Sequence, residues 1–114
     1  MYSLYYSPEE ADLKSVGSVE WHGESFRFNL TAVWQDKSGM YYWASDQGCS
    51  CPIPFEGLGL NELNRGSNWD VAAYLNDRMS TLTKESIEYG YKDHIEYSKP
   101  QVLNLIKVVM NSVR

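Results

Sequence analysis

Two cysteines separated by a single residue form the most reactive group in this sequence. Cys49 and Cys51 follow an aromatic run at 41–43 and precede Pro52. Thiolates at this Cys-x-Cys spacing are able to bind one zinc ion or, with a base nearby, to act as nucleophiles. Metal binding, nucleophilic catalysis, redox chemistry and a purely structural role are therefore the four alternatives for this loop.

A metal site would need more ligands than the two cysteines supply. A structural zinc site has four ligands, and the other nitrogen donors are His22 and His94, with Asp46 as an oxygen donor. The ligand spacing of zinc fingers and zinc ribbons is absent. A metal-binding protein that uses Cys49, Cys51 and His22 is therefore an alternative prediction, whereas the leading prediction has no cofactor.

Catalytic use of the cysteines has weaker support. A cysteine nucleophile needs a base or a positive field that produces the thiolate, and His22 would serve only if the fold brings it to the loop. No cysteine-hydrolase motif matches, and redox dithiols use Cys-x-x-Cys instead. A disulfide between residues i and i+2 would close a small, strained ring. We therefore predict no catalytic residues and no enzyme.

The loop is best explained as a structural element that also presents a recognition surface. Free cysteine behaves as a small, often buried hydrophobe. We expect a turn at 46–48, cysteines at the edge of the core and an extended chain at the two prolines that follow. Phe55 would then anchor the loop. The predicted recognition residues are Trp43, Asp46, Cys49, Cys51, Pro52, Phe55 and Glu56.

One motif in this region is unusual enough to indicate a family. The run Asp46-x-Gly-Cys-Ser-Cys-Pro-x-Pro-Phe-Glu56, with the aromatic segments 26–34 and 42–45 before it, resembles a family of small uncharacterised proteins encoded by actinobacterial phages. That resemblance implies a phage origin and expression inside a bacterial host. It implies no catalytic residue, because no activity is assigned to the family.

Two other candidate sites have a plainer explanation. Asp70 and Asp77 would share one face of a helix, which is typical of a solvated helix surface. His94 lies in a polar segment and is predicted to be a surface histidine rather than a ligand. The glycines of Gly57-Leu58-Gly59 do not form a phosphate loop, because the lysine of that motif is absent.

Charge and hydropathy restrict the classes of partner. The 114 residues have a net charge of −5, and residues 1–66, with nine acidic and four basic side chains, carry all of it. Nucleic-acid binding requires a basic footprint, so we predict no nucleic-acid partner. No apolar stretch approaches the ~20 residues that cross a bilayer, so we predict no membrane association. The expected partner is a host or phage protein, met in the host cytoplasm.

The hydrophobic periodicity predicts one α+β domain over residues 1–114, a three-stranded antiparallel β-meander packed against C-terminal helices. A short helix is expected at 8–13, the meander at 15–45, the cysteine-containing loop at 46–66 and the helical part at 67–114. The strand at 26–35 alternates with period two, so one face should be buried and the other mostly solvated. Asp46 to Arg65 is expected to be irregular apart from a helical turn at 60–63.

Three helices are expected after the loop. Ser67 or Asn68 would cap a helix at 69–79, and a separate short helix would begin near Thr83 and end near Gly90. The last helix would begin near Ser98, because that residue has capping-box spacing and Pro100 follows near the start.

These observations together predict a small phage accessory protein that binds a host or phage protein without catalysis. Inhibition of a host defence or of another host process is one form of that role. A virion or assembly component is a further alternative. Homodimerisation through an exposed edge strand is also allowed by this fold.

Overall fold

The computed structural model describes residues 3–22, 27–49, 54–90 and 92–111 of the chain, without the side chains of Arg27 and Cys49. It is an α+β fold in which an antiparallel sheet is followed by two long helices. The elements are a 3-10 helix Pro8–Ala11, β1 Leu13–Glu20, β2 Arg27–Asp36, β3 Tyr41–Cys49, a second 3-10 helix Leu60–Glu62, β4 Asn64–Gly66, α1 Asn68–Tyr89 and α2 Lys92–Asn111.

The sheet has four antiparallel strands in the order β1-β2-β3-β4, so the predicted three-stranded meander is correct but incomplete. β4 pairs with the start of β3, where Trp43 lies opposite Asn64. β3 also runs further than expected, because Asp46 to Cys49 continue the pairing with β2. The predicted turn at 46–48 is therefore wrong: the partner strand β2 supplies backbone hydrogen bonds for these residues.

The face of the sheet that lies under the helices holds the larger apolar cluster. Val33 on β2 is fully buried there although we predicted its side of the strand to be mostly solvated, and Thr31 beside it is fully buried as well. Both helices cover this face, so β2 is buried on both faces of the sheet although its apolar residues alternate with polar ones. The buried members are Val19, Trp21, Val33, Tyr41, Trp43, Val71, Leu75, Val102, Leu105 and Val109.

The opposite face of the sheet is covered by the N-terminal segment and by the chain that follows the cysteine loop. Trp34 lies at the centre of this second cluster, where its indole N–H donates to the carbonyl of Leu4 at 3.1 Å. Ser3 forms an isolated antiparallel bridge with Glu56, which holds the two covering segments together. The buried members are Leu4, Leu13, Leu30, Ala32, Trp34, Tyr42, Ala44, Phe55 and Leu63.

The turn between β2 and β3 is organised by the carboxylate of Asp36. It accepts hydrogen bonds from the Ser38 hydroxyl at 2.7 Å, from the Met40 N–H at 3.0 Å and from the Tyr42 hydroxyl at 3.0 Å. Gly39 completes the turn with φ +97°, a conformation that glycine adopts without strain. The bond from the Ser38 side chain, with those from Met40 and Tyr42, outweighs desolvation and holds the pKa of Asp36 below its ordinary value.

We expect Asp36→Asn to lose more stability at neutral pH than in acid. The pKa of Asp36 is lower in the folded than in the unfolded chain, so its stabilisation is present above about pH 4 and disappears as pH falls through the folded-state value. The deficit should be about 1 kcal/mol at pH 7, because the site is partly solvated. Urea unfolding at pH 7 and pH 3 measures it, with Asp77→Asn as the control. An equal deficit at both pH values would contradict this assignment.

α1 is one continuous helix where the sequence suggested two. The stretch Ser80–Thr83 is rich in weak helix formers, yet the Thr83 hydroxyl donates to the carbonyl of Met79 at 2.8 Å and the helix continues. Leu82 and the buried Ser86 keep the second half packed. The predicted ends are confirmed: Ser67 caps the start by accepting from Asp70 N–H, and Gly90 ends the helix with φ +81°.

α2 begins at Lys92, earlier than predicted, so Pro100 lies inside it. Proline removes one helical hydrogen bond and crowds the preceding turn. The carbonyl that loses its helical donor is that of Glu96. The Ser98 hydroxyl and the Gln101 amide bond other carbonyls of this turn, those of His94 at 2.8 Å and Tyr97 at 2.9 Å. The capping-box spacing around Ser98 therefore predicted the wrong first residue for α2. Serine and glutamine side chains also form hydrogen bonds inside a helix, so these residue types do not by themselves mark a helix start.

The outer edge of β1 is closed at one end by α2. The Gln101 side chain accepts from the backbone N–H of Glu20 at 2.9 Å and donates to its carbonyl at 3.2 Å. One amide thereby occupies both backbone groups that a neighbouring strand would use at this residue. Homodimerisation through an edge strand remains a prediction, and at Glu20 it would have to displace this side chain.

Candidate functional site

The aromatic members of the predicted recognition loop lie inside the fold. Trp43 packs in the cluster under the helices, and Phe55 in the cluster on the other face. Phe55 stacks edge-on against Trp34, with ring centroids 5.4 Å apart, so its predicted role as the anchor of the loop is confirmed. Glu56 is exposed. Cys51 and Pro52, and the side chain of Cys49, lie outside the described residues, so recognition by this loop stays a prediction.

Asp46 connects the end of β3 to the chain beyond the cysteines. One carboxylate oxygen accepts from the backbone N–H of Phe55 at 2.8 Å, and the other accepts from that of Gln47 at 2.9 Å. Phe55 has φ +61°, an uncommon conformation for a residue with a bulky side chain. The bond from Asp46 helps to hold this backbone in place, which gives the aspartate a positioning role that the sequence did not indicate.

Asp46→Ala should therefore destabilise the chain segment at Phe55, which follows the cysteine loop. The change leaves the N–H of Phe55 without its acceptor, and we expect a loss of about 1–3 kcal/mol in the free energy of unfolding. Hydrogen exchange at the Phe55 amide should accelerate. Asp46→Asn is the matched control, because one oxygen remains able to accept and the loss should be smaller. If alanine and asparagine behave alike, the carboxylate does not hold the loop in this way.

The predicted metal ligands are only partly brought together. His22 lies just after β1 and its ring centroid is 5.6 Å from that of His94 in the first turn of α2. Cys49 lies on β3, where its backbone is opposite Arg27 of β2. Among the residues that the structure describes, no group of three histidine, cysteine, aspartate or glutamate side chains converges in a way that could hold a metal ion.

A polar cleft of about 440 Å³ opens between the sheet and α1, at the end of the sheet where the cysteine loop leaves. Arg78 lies across it, with its guanidinium carbon 5.2 Å from the centre of the Trp21 ring and one nitrogen 3.5 Å from the amide oxygen of Asn29. This cation–π arrangement fixes the guanidinium. Asp77 and Glu85 also line the cleft, so its described walls are mostly polar.

The outward face of α1 is the largest departure from the predicted site. Trp69 is 70% exposed near its start and Ile87 is 83% exposed near its end. The two residues are separated by about five turns of 3.6 residues and so lie on one line of the helix. Every residue between them on that line is exposed and uncharged: Ala73, Asn76, Ser80 and Thr83. We define these six residues as the α1 strip.

The α1 strip was missed because the sequence had suggested that the first helix ends near Met79. Once the helix continues to Tyr89, the spacing of Trp69 and Ile87 becomes a recognisable signal. A row of charged side chains runs beside the strip, and each is exposed: Asp70, Asp77, Lys84 and Glu88. Asp70 and Asp77 are therefore on the solvated surface, as predicted.

Comparison with known proteins places the chain in a family. The family model for a domain of unknown function, DUF7574, matches residues 2–112. The chain belongs to the DUF7574 family. No curated protein and no solved structure matches it. Within the described part of this DUF7574 domain, neither α1 nor α2 is long and apolar enough to cross a membrane.

Proposed function

We propose that this DUF7574 domain is a non-enzymatic protein-binding module that acts on a host or phage protein through the α1 strip. The observation that carries the proposal is the exposure of Trp69 and Ile87 on one line of a packed helix. Large apolar side chains held apart on a rigid element are typical anchors of a protein interface, and tryptophan is enriched among such anchors.

The residues between the two anchors support close approach of a partner. Ala73, Ser80 and Thr83 are small, and Asn76 is short and uncharged. An extended or helical segment of a partner would lie along this line with little desolvation of charge, because the charged row lies to one side. The buried face of α1 holds Val71 and Leu75, so the helix does not have to move to present the strip.

The charge beside the strip favours a basic partner. The row contains three carboxylates, those of Asp70, Asp77 and Glu88, and one lysine, Lys84. Opposite charge at the rim of an interface accelerates association and disfavours wrong partners. We therefore infer an amphipathic partner segment, with apolar side chains that meet Trp69 and Ile87 and with lysine or arginine that meets the row.

The source and setting are part of the same proposal. The Asp-x-Gly-Cys-Ser-Cys-Pro-x-Pro-Phe-Glu motif at 46–56 resembles phage-encoded proteins, and this supports expression in a bacterial host and action in its cytoplasm. Packing of Phe55 and the bonds of Asp46 support a structural role for the motif.

Capture followed by measured binding tests the proposal. Tagged protein is used to capture partners from lysates of an actinobacterial host before and after phage infection, and the stoichiometric partner is purified. Titration calorimetry then compares the wild type with Trp69→Ala/Ile87→Ala, which should bind at least about tenfold more weakly. Asp77→Lys/Glu88→Lys should slow association and reduce its salt dependence.

Tyr6→Ala is the matched control, because Tyr6 is similarly exposed but belongs to the N-terminal segment that covers the far face of the sheet. Binding should be unchanged by this variant. The proposal fails if neither lysate yields a stoichiometric partner, or if the strip variants bind as tightly as the control. Recovery of the chain at fixed copy number in purified virions would favour an assembly role instead.

A further inference from the structure

α2 carries a row of side chains with the same spacing as the α1 strip. Members of the strip follow one another at alternate steps of four and three residues, which is the spacing of the seam between two packed helices. Side chains at the same alternate steps along α2 are exposed or half-buried. We define these six residues as the α2 line: Lys92, Glu96, Lys99, Leu103, Ile106 and Met110.

The α1 strip and the α2 line both point away from the sheet. On α1, Tyr74 and Arg78 reach the sheet, and the strip lies on the opposite side of the helix. On α2, Gln101 bonds the backbone of β1, and Leu103, two residues later, lies about 200° further round the helix. The strip and the line therefore form one continuous surface on the outside of the helix pair.

One hydrogen bond gives the register of the two helices, which are antiparallel because their connection is short. The Asn68 side chain donates to the carbonyl of Val109 at 3.3 Å, so the start of α1 is level with the end of α2. Counted from that bond at 1.5 Å per residue, Leu103 lies about 8 Å from the level of Trp69. Trp69 is 70% exposed and Leu103 is 58% exposed. Together with the apolar half of the α2 line they make one end of the surface apolar.

We propose that this surface binds the same surface of a second copy of the chain, in a symmetric dimer with four packed helices. The two-fold axis runs along the helices, between the α1 strip and the α2 line, so that each strip lies against the α2 line of the other copy. The α2 helix is an amphipathic segment of the kind inferred above, because Leu103 lies near the basic side chains of Lys99 and Lys107. The dimer rests on the proposed function in taking the α1 strip as a binding surface, and a heterologous partner would replace the second copy there.

The order of charges along the helices is complementary in this arrangement. The charged row lies on the side of α1 opposite to the side from which Asn68 contacts α2, so it is directed at the other copy rather than at its own α2. Side chains of opposite charge are level, to within about one residue, in three pairs: Asp70 with Lys107, Asp77 with Lys99 and Lys84 with Asp93. A two-fold axis across the middle of the helices would instead bring Asp70 of one copy to Glu88 of the other, and like charges disfavour that arrangement.

The size of the surface fits a dimer that exchanges with monomer. α1 has 22 residues and is therefore about 33 Å long, and two packed helices are roughly 20 Å wide. The facing surface is then roughly 600–700 Å² per copy, somewhat below the ~800 Å² per partner of a standard interface. Interfaces of this size are typical of reversible association, so the dimer should dissociate on dilution.

Sedimentation of the purified protein from micromolar to millimolar concentration measures the association. The weight-average mass should rise from the 13.1 kDa of one chain toward twice that value. Trp69→Ala/Leu103→Ala should stay monomeric over the same range, because it removes the apolar anchors from both copies. Tyr6→Ala is the matched control: it removes an exposed aromatic side chain from the far side of the sheet and should dimerise as the wild type does.

A charge exchange identifies which faces meet. Asp77→Lys alone places two lysines against each other at both equivalent contacts of the dimer, and Lys99→Glu alone places two carboxylates there. Each variant should therefore dimerise about tenfold more weakly than the wild type. An equimolar mixture of the two variants should regain the wild-type affinity, because both contacts of the mixed dimer again join opposite charges. Different fluorescent labels on the two variants identify the mixed dimer.

Circular dichroism establishes that each variant is folded. The proposed dimer is overturned if the wild type is monomeric at every concentration, if Trp69→Ala/Leu103→Ala dimerises like the wild type, or if the mixture associates no better than its components. A monomeric wild type would leave the α1 strip to another protein, and capture from lysate would still test the proposed function. A dimer with the expected variant effects but no captured partner would support self-association and count against action on another protein.

Discussion

We expect Trp34→Ala to lower the free energy of unfolding by about 3–5 kcal/mol, the usual range for truncation of a buried tryptophan. Trp34 is 1% exposed and lies at the centre of the cluster on the far face of the sheet. Its ring meets Phe55 edge-on at 5.4 Å, and its indole N–H donates to Leu4. Urea unfolding followed by tyrosine fluorescence or circular dichroism measures the loss.

The loss should extend beyond one cavity, because Trp34 holds two covering segments at once. Leu4 belongs to the N-terminal segment and Phe55 to the chain after the cysteine loop, so each loses its contact with the Trp34 ring or indole N–H in the variant. Hydrogen exchange should then increase for amides at 4–7 and 55–58 before the helices are affected.

Two variants bracket the effect. Trp34→Phe keeps an aromatic ring but removes the donor to Leu4, and we expect a smaller loss of about 1–3 kcal/mol. Trp69→Ala removes an exposed tryptophan from α1 and should change stability by less than about 0.5 kcal/mol. A loss for Trp34→Ala no greater than that for Trp69→Ala would contradict the role assigned to this ring.

The period-two pattern of β2 predicted one buried face correctly and misjudged the other. Leu30, Ala32 and Trp34 alternate as expected and are buried. Thr31 and Val33 were predicted to lie on a mostly solvated face because threonine is polar and the flanking residues are hydrophilic. Two helices cover that face instead, and whether a second layer exists is decided by parts of the chain that are distant in sequence.

Capping residues in the sequence predicted the ends of α1 correctly but the start of α2 wrongly. Ser67 and Gly90 mark the true ends of α1, because capping by a hydroxyl and a left-handed terminal glycine are local in the sequence. Pro100 and Ser98 were misleading, because both lie inside α2, which begins at Lys92 and packs its apolar face into the larger cluster. Propensity alone does not distinguish these cases, since packing of the apolar face decides whether a helix continues.

The candidate sites show the same limit. The anchoring role of Phe55 was predictable, because an aromatic residue after a proline-rich loop has to be buried somewhere. The bond from Asp46 to its N–H, and the approach of His22 to His94, depend on tertiary placement and have no local signature. The α1 strip could have been found from the spacing of Trp69 and Ile87, had the helix been extended through its threonines.

Thr31→Val is expected to destabilise the fold by about 2–3 kcal/mol although it barely changes side-chain volume. The Thr31 hydroxyl accepts from the indole N–H of Trp21 at 2.9 Å. It also shares a 2.6 Å hydrogen bond with the Ser45 hydroxyl. The Ser45 hydroxyl in turn shares a 2.6 Å hydrogen bond with the hydroxyl of Tyr74. An indole N–H only donates, so Thr31 is free to donate to Ser45, and Ser45 to Tyr74. This relay runs from Trp21, just after β1, through β2 and β3 to α1.

A double-mutant cycle distinguishes a broken relay from poor packing. In wild-type background, valine leaves the buried N–H of Trp21 without an acceptor, and that desolvated donor accounts for much of the cost. In a Trp21→Phe background the donor is absent, so Thr31→Val should cost at least about 1 kcal/mol less. Thr31→Ser keeps the hydroxyl and should retain the coupling to Trp21. Equal costs of Thr31→Val in both backgrounds, measured by urea unfolding, would show that the hydroxyl contributes to packing rather than to the relay.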